Sequence, residues 1–139
     1  MNDFKKIDER TFDFALLIIE TYKFLIKKRE FVLSKQLLES GTSIGSNVHE
    51  DQAAQIKKDF ISKMAIASKE ARETDYWLRL LNKSGYLFDF YKKEVVSEEI
   101  TAIMNILTKI VKTSKKNLEN SKVKTSLLSK LAKNSKFSC

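Results

Sequence analysis

Phe60, Met64, Ala67, Ala71, Thr74, Leu78 and Leu81 follow one another at spacings of 4-3-4-3-4-3. Only a helix returns residues at those intervals to a single face, so the stretch predicts a helix with an apolar stripe packed against other helices. The middle of the stripe is small (Ala67, Ala71, Thr74), which allows a neighbour to approach closely. Ile61, Ala65 and Ser68 widen it on one side, and Trp77 and Leu80 flank its end. A helix with one apolar stripe buries it only by packing on further elements.

The remainder of the chain offers more helices. With no proline and three glycines (Gly41, Gly45, Gly85) in 139 residues, little interrupts them. A first helix is predicted from an Asp8 N-cap to about Lys28, with Phe14, Leu17, Ile18, Thr21, Phe24 and Leu25 inward. Phe12, Ala15, Ile19, Tyr22 and Ile26 fall elsewhere around it, and so many apolar faces predict cover by the bundle or by another subunit. A second helix, capped by Ser34, is predicted to reach about Ala54, with Leu37, Ser40, Ile44 and Val48 inward. The third spans about Lys57 to Asn82, with Asp59 in its first turn and Gly85 as a left-handed stop. An aromatic connector, Tyr86 to Val96, leads to a fourth helix capped by Ser97, with Ile100, Ile103, Met104, Leu107, Ile110 and Val111 inward. The expected fold is all-α, an antiparallel up-down four-helix bundle over residues 1–118. After Ser114 the pattern decays, and residues 119–139 read as a lysine-rich tail, disordered or loosely helical.

Charge is concentrated at the end of the chain. Residues 109–139 hold Lys109, Lys112, Lys115, Lys116, Lys122, Lys124, Lys130, Lys133 and Lys136 against Glu119 alone. Of 26 basic and 18 acidic residues, that leaves 17 of each in residues 1–108, so the body is neutral and the end carries the whole net +8. A localised basic arm suits a polyanion, and the nine lysines are the candidate nucleic-acid contacts. No apolar run approaches the ~20 residues of a membrane span. The opening MNDFKKIDERTFDF lacks a signal-peptide core, and the single cysteine, Cys139, allows no disulfide within the chain. A cytoplasmic protein without a membrane partner is expected.

Catalytic chemistry finds little support. Gly41-Thr42-Ser43-Ile44-Gly45-Ser46-Asn47 lacks the lysine and preceding strand of a phosphate loop, and is expected to serve close helix packing. Glu70 and Glu73 share a face, but di-metal bundles pair Glu-x-x-His motifs, and the only histidine, His49, lies on another helix. Glu73 is expected to accept hydrogen bonds from Asn47 or a serine of the second helix. No enzyme activity, metal, cofactor or small-molecule substrate is expected. Tyr76 and Trp77 are aromatic rings that could stack nucleobases, but at helical spacing beside leucines they read as core or subunit contact, and with Phe12 and Tyr22 form the candidate oligomer interface.

RTFDFALLIIETY, SKQLLESGTSIGSNVHE and KKDFISKMAIASKEARETDYWLRLL, in that order, resemble the four-helix-bundle family named for proteins encoded in 23S rRNA intervening sequences. The resemblance covers about residues 8–118, and its paired signals are SGTSIGSN and KEARETDYWL. It implies a ring-shaped homo-oligomer, with five subunits expected. It also implies kinship with the accessory bundle protein of diversity-generating retroelements, a basic oligomer that works with nucleic acid and a reverse transcriptase. Ile56 stands where the family pattern offers a serine cap, and the tail lies beyond the common core. The expected function is a non-enzymatic oligomer that binds RNA through its basic arm. The alternative is a scaffold ring that docks a protein partner.

Overall fold

Six of the seven seam positions, Met64 through Leu81, are buried, and Phe60 packs half-buried against the same core. The computed structural model describes residues 3–51, 54 and 56–137 and arranges them as four helices: α1 (Asp3–Lys27), α2 (Leu33–Asp51), α3 (Lys57–Lys83) and α4 (Lys93–Phe137). The described residues contain no strand. The predicted stripes supply the core: Phe14, Ile18 and Leu25 from α1, Leu37, Ile44 and Val48 from α2, and Ile100, Ile103 and Leu107 from α4. Each such side chain contributes on the order of 1.5–3 kcal/mol when fully buried, which makes the shared core the main source of stability.

Contacts in three of the packed helix pairs run in opposite senses along the two helices. On α1 and α2, Gly41 sits over Ile18 and Gly45 over Thr11. On α2 and α3, Thr74 Oγ1 meets Ser40 Oγ at 3.0 Å, Ser43 Oγ donates to Glu70 Oε2 at 3.0 Å, and Lys63 Nζ to Glu50 Oε2 at 2.7 Å. On α1 and α4, Arg10 pairs with Glu99 and Glu20 with Lys92. Gly41 is the residue most closely shaped by packing. A Cβ there would stand 2.7 Å from Cγ1 of the fully buried Ile18. Glycine at this position therefore sets how near α2 comes to α1.

The helix ends depart from expectation. α1 starts at Asp3, so Asp8 lies within the helix, with Asp8 Oδ1 3.5 Å from His49 Nδ1, and does not cap it. α1 ends in a Schellman motif with Arg29 at φ 61°, where the Glu30 N–H reaches Leu25 O (3.0 Å) and the Arg29 N–H reaches Ile26 O (2.9 Å). Glu30, rather than Ser34, then caps α2. Its carboxylate accepts the Leu33 N–H (2.9 Å) and the Ser34 N–H (2.6 Å), while Ser34 Oγ donates back to Glu30 O. α3 closes as predicted, with Gly85 at φ 89°, Tyr86 N–H on Leu81 O and Gly85 N–H on Asn82 O. α4 begins at Lys93, one turn before Ser97, so Ser97 is not its cap, and the connector shortens to residues 84–92. Phe90 explains the early start: it is buried against Phe24 (ring centroids 4.9 Å apart) and draws the chain back onto the core. α2 ends at Asp51, short of the expected Ala54; Gln52 and Ala53 lie outside the described residues.

Candidate nucleic-acid interface

α4 does not stop where its buried stripe stops. Beyond Val111 its residues are at most half-buried, and from Glu119 to Asn134 every side chain is exposed, yet the helix continues to Phe137. Where a disordered or loosely helical arm was expected, the structure holds a single continuous helix. Local propensity accounts for this, since lysine and leucine favour helix and no proline or glycine intervenes. Lys109, Lys112, Lys115, Lys116, Lys122, Lys124, Lys130 and Lys133 are all exposed, and none takes part in an ion pair among the described residues. Lys136 lies beyond the described side chains, and Cys139 beyond the described residues. At ~100° per residue, Lys112, Lys115, Lys122, Lys130 and Lys133 fall within about 80° of one another. Leu127, Leu128 and Leu131 lie on the other side with Lys124 among them, and Val123 borders the lysines, all of them exposed. The extension is thus a basic, amphipathic helix leaving the bundle next to α1, where Ile7 and Arg10 face Ile106 and Ile110 across an open groove.

The candidate interface aromatics separate. Phe12 is exposed on the outward side of α1, in line with the exposed Leu16 and Ile19. Tyr76 is exposed on α3, whereas Trp77 is half-buried against the core and meets Tyr76 edge-on at 5.1 Å. Tyr22 is half-buried. The four therefore form no single patch on one subunit.

The glycine–serine stretch lies inside α2. Ser43 Oγ donates to Ser40 O (2.9 Å), Ser46 Oγ to Ser43 O (3.2 Å) and Thr42 Oγ1 to Leu38 O (2.7 Å). These hydroxyls are satisfied within the helix, as the close-packing reading requires. The acceptor on α3 is Glu70, not Glu73: Ser43 reaches Glu70, and Asn47 Nδ2 donates to Ser43 O instead (2.9 Å). One turn separates the two acids, and of the two it is Glu70 that accepts the hydrogen bond from α2. Among the described residues, no group of three or more His, Cys, Asp or Glu is placed to hold a metal. No described helix is long and apolar enough to cross a membrane.

Asp51 escaped the sequence reading. It is 2% exposed, neither carboxylate oxygen has a hydrogen-bond partner among the described residues, and burial pushes its pKa up to about 7, against partial relief from Lys63. The inward positions of α2 run Leu37, Ser40, Ile44, Val48, and one more step of that spacing reaches Asp51. Elsewhere Glu20 is held below the usual carboxylate range, first by the Tyr91 hydroxyl and then by Lys92.

Comparison with known proteins agrees with this architecture. The chain matches the model of the 23S rRNA-intervening sequence protein family over residues 5–109. A crystal structure of a protein of unknown function from the S23 ribosomal protein family of Bacteroides thetaiotaomicron is 42% identical, with a TM-score of 0.75. That alignment covers 99% of the Bacteroides chain and 80% of this one, and the family match stops while α4 has still to run on to Phe137. No curated protein matches the chain. Neither description names an enzymatic activity. The four helices, their order and the match over residues 5–109 agree: the chain belongs to the 23S rRNA-intervening sequence protein family.

Proposed function

We propose that this protein is a non-enzymatic, homo-oligomeric helical bundle that binds nucleic acid, RNA in particular, through the lysine-rich extension of α4. One observation carries the reading: a continuous helix projects past the bundle with the lysines of its described side chains exposed and, among the described residues, unpaired, on a chain whose other 108 residues are neutral. Such an arm gives affinity through phosphate contacts and little sequence selectivity. The family's name concerns an intervening sequence of 23S rRNA, which fits an RNA partner. Assembly is supported by the exposed Phe12, Leu16 and Ile19 stripe on α1, and five subunits is the number the family resemblance implies. Several arms on one oligomer would engage a single polyanion at high effective concentration.

Cutting the chain after Leu118 removes five lysines and Glu119, lowering the formal charge from +8 to +4 per subunit. The truncated protein should fold, keep its subunit number by light scattering, and bind single-stranded RNA far more weakly. For the intact protein, if about 5–8 phosphates are neutralised, log K should fall with log salt at a slope of about −3.5 to −6, taking ~0.7 per phosphate. Unchanged affinity after truncation would overturn the assignment to the arm. A second reading, a scaffold ring docking a protein partner, is favoured by exposed Phe31, Val32, Phe88 and Tyr91 in the α1–α2 and α3–α4 connections. Intact oligomers that ignore RNA at low salt would support it.

A further inference from the structure

The seam of α3 has a counterpart on the opposite side of the same helix. Lys69, Arg72, Tyr76, Arg79 and Lys83 recur at spacings of 3-4-3-4, and all five are exposed. At 1.5 Å per residue the line is ~21 Å long. The ion pairs of the described residues all lie elsewhere, at Arg10–Glu99, Lys28–Asp89, His49–Asp8, Lys63–Glu50 and Lys92–Glu20. The four cations of the line are uncommitted, and they stand on a helix fixed by its buried seam. That is a preorganised set of phosphate contacts. Of the neighbouring acids, Glu70 turns to Ser43 of α2, which leaves the exposed Glu73 and the half-buried Asp75 beside the line.

The line borders a groove between α2 and α3 lined by Gln36, Lys69, Arg72, Glu73, Tyr76 and Trp77. Tyr76 is 54% exposed, and Trp77 braces it edge-on. The outward faces of α1 and of α4 within the bundle are different in kind. That of α1 carries the apolar Phe12, Leu16 and Ile19 among charges of both signs, Glu9, Asp13, Lys23 and Lys27, and α4 within the bundle shows Glu94, Glu98, Thr101 and Asn105.

We infer that the outer face of α3 is a strand-tracking site for single-stranded nucleic acid, its cations on successive phosphates and a base stacked on Tyr76. This assignment rests on the proposal that the protein binds nucleic acid, and adds a rigid site to the arm. An acidic protein segment would satisfy the charge but would leave the exposed ring unused. Cations interleaved with an aromatic ring are the arrangement by which proteins hold single strands without reading sequence. Tyr76 thereby passes from subunit contact to ligand contact.

The test uses the full chain and a fluorescein-labelled 20-nucleotide oligo(U) over a salt series. Replacing Lys69, Arg72, Arg79 and Lys83 by Gln should weaken binding at least tenfold. It should also flatten the salt slope by about 2–3, from ~0.7 per phosphate. A control with the same charge loss, Gln at the exposed Lys23, Lys27, Lys35 and Lys58, should stay within about threefold of the parent. Tyr76→Ala should weaken binding about fivefold or more. Trp77, the only tryptophan, should be quenched by oligo(U) and not by inorganic polyphosphate. If the parent ignores oligo(U) altogether, the nucleic-acid reading itself falls. If the parent binds and the α3 variant matches the control, the α3 site falls and the arm stands alone. Equal displacement and equal Trp77 change by poly-glutamate would mark an acidic protein partner and overturn the inference.

Discussion

The two ends of the bundle are built differently. At the end holding residues 28–32 and 84–92, each turn is closed by matched hydrogen bonds. Arg29 and Gly85 take the left-handed positions, Glu30 caps α2, and Lys28 reaches across to Asp89 (2.7 Å) and Lys92 to Glu20 (3.0 Å). At the other end α3 begins after Ile56 with no side-chain cap, Asp51 is buried without a partner, and α4 leaves the bundle altogether. The contrast shows where this chain has put its stability and where it has not. The closed end fixes helix spacing, while the open end carries an unpartnered buried carboxyl on α2 and an uncapped start of α3.

The largest effect should come from the closed end. Glu30→Ala leaves the Leu33 and Ser34 N–H groups without their acceptor in a buried setting, and should cost about 1–3 kcal/mol. Denaturant unfolding checks it, and a loss no larger than that of an average surface substitution would erase the distinction between the ends.

Asp51 tests the open end through pH. Its folded-state pKa is raised from 3.8 to about 7 by burial, so the folded state holds a proton that the unfolded chain has released. Stability from this group is present below pH ~4, declines as pH climbs to about 7, and is flat above that. Asp51→Asn should remove this decline and stabilise the protein at pH 8 by about 1–2 kcal/mol. Parallel stability–pH curves for the two proteins between pH 4 and 7 would count against a buried, unpartnered carboxyl.

The smallest effect is expected from Ile56→Ser, which places a capping hydroxyl at a backbone already extended (φ −128°, ψ 149°). A gain of about 0.5–1 kcal/mol in thermal or denaturant unfolding is expected. No gain would mean that the missing cap of α3 is satisfied in another way, and the two ends would be less unlike than their hydrogen bonds indicate.

Much of the bundle is legible in the residues alone, because burial on a helix has a period. The α3 seam, the inward positions of α2 and most of the α4 stripe are spaced so that no other element could bury them together. Gly85 announced its turn because a left-handed residue without a Cβ is the least strained stop. Glu30 and Asp51 were not legible. Glu30 caps across a turn whose left-handed residue is Arg29, an unusual choice that no turn pattern marks. Asp51 is a charged side chain on an inward position, where composition alone expects an apolar one. The cationic line on α3 has the same 3-4 interval as the seam, but its charges are interrupted in sequence by Glu70, Glu73 and Asp75 and read there as a mixed surface.

By itself the sequence determined that this chain is helical, which faces pack, and that its charge sits at one end. Those follow from local propensity and from periodicity, each a property of residues within a few turns of one another. Only the tertiary structure decided how close α2 lies to α1, that Glu70 rather than Glu73 takes the hydrogen bond from α2, and which cations remain unpaired. Each of these depends on distances between helices. Such distances are set by contacts such as Gly41 on Ile18, between residues 23 apart in the chain, to which no local pattern refers.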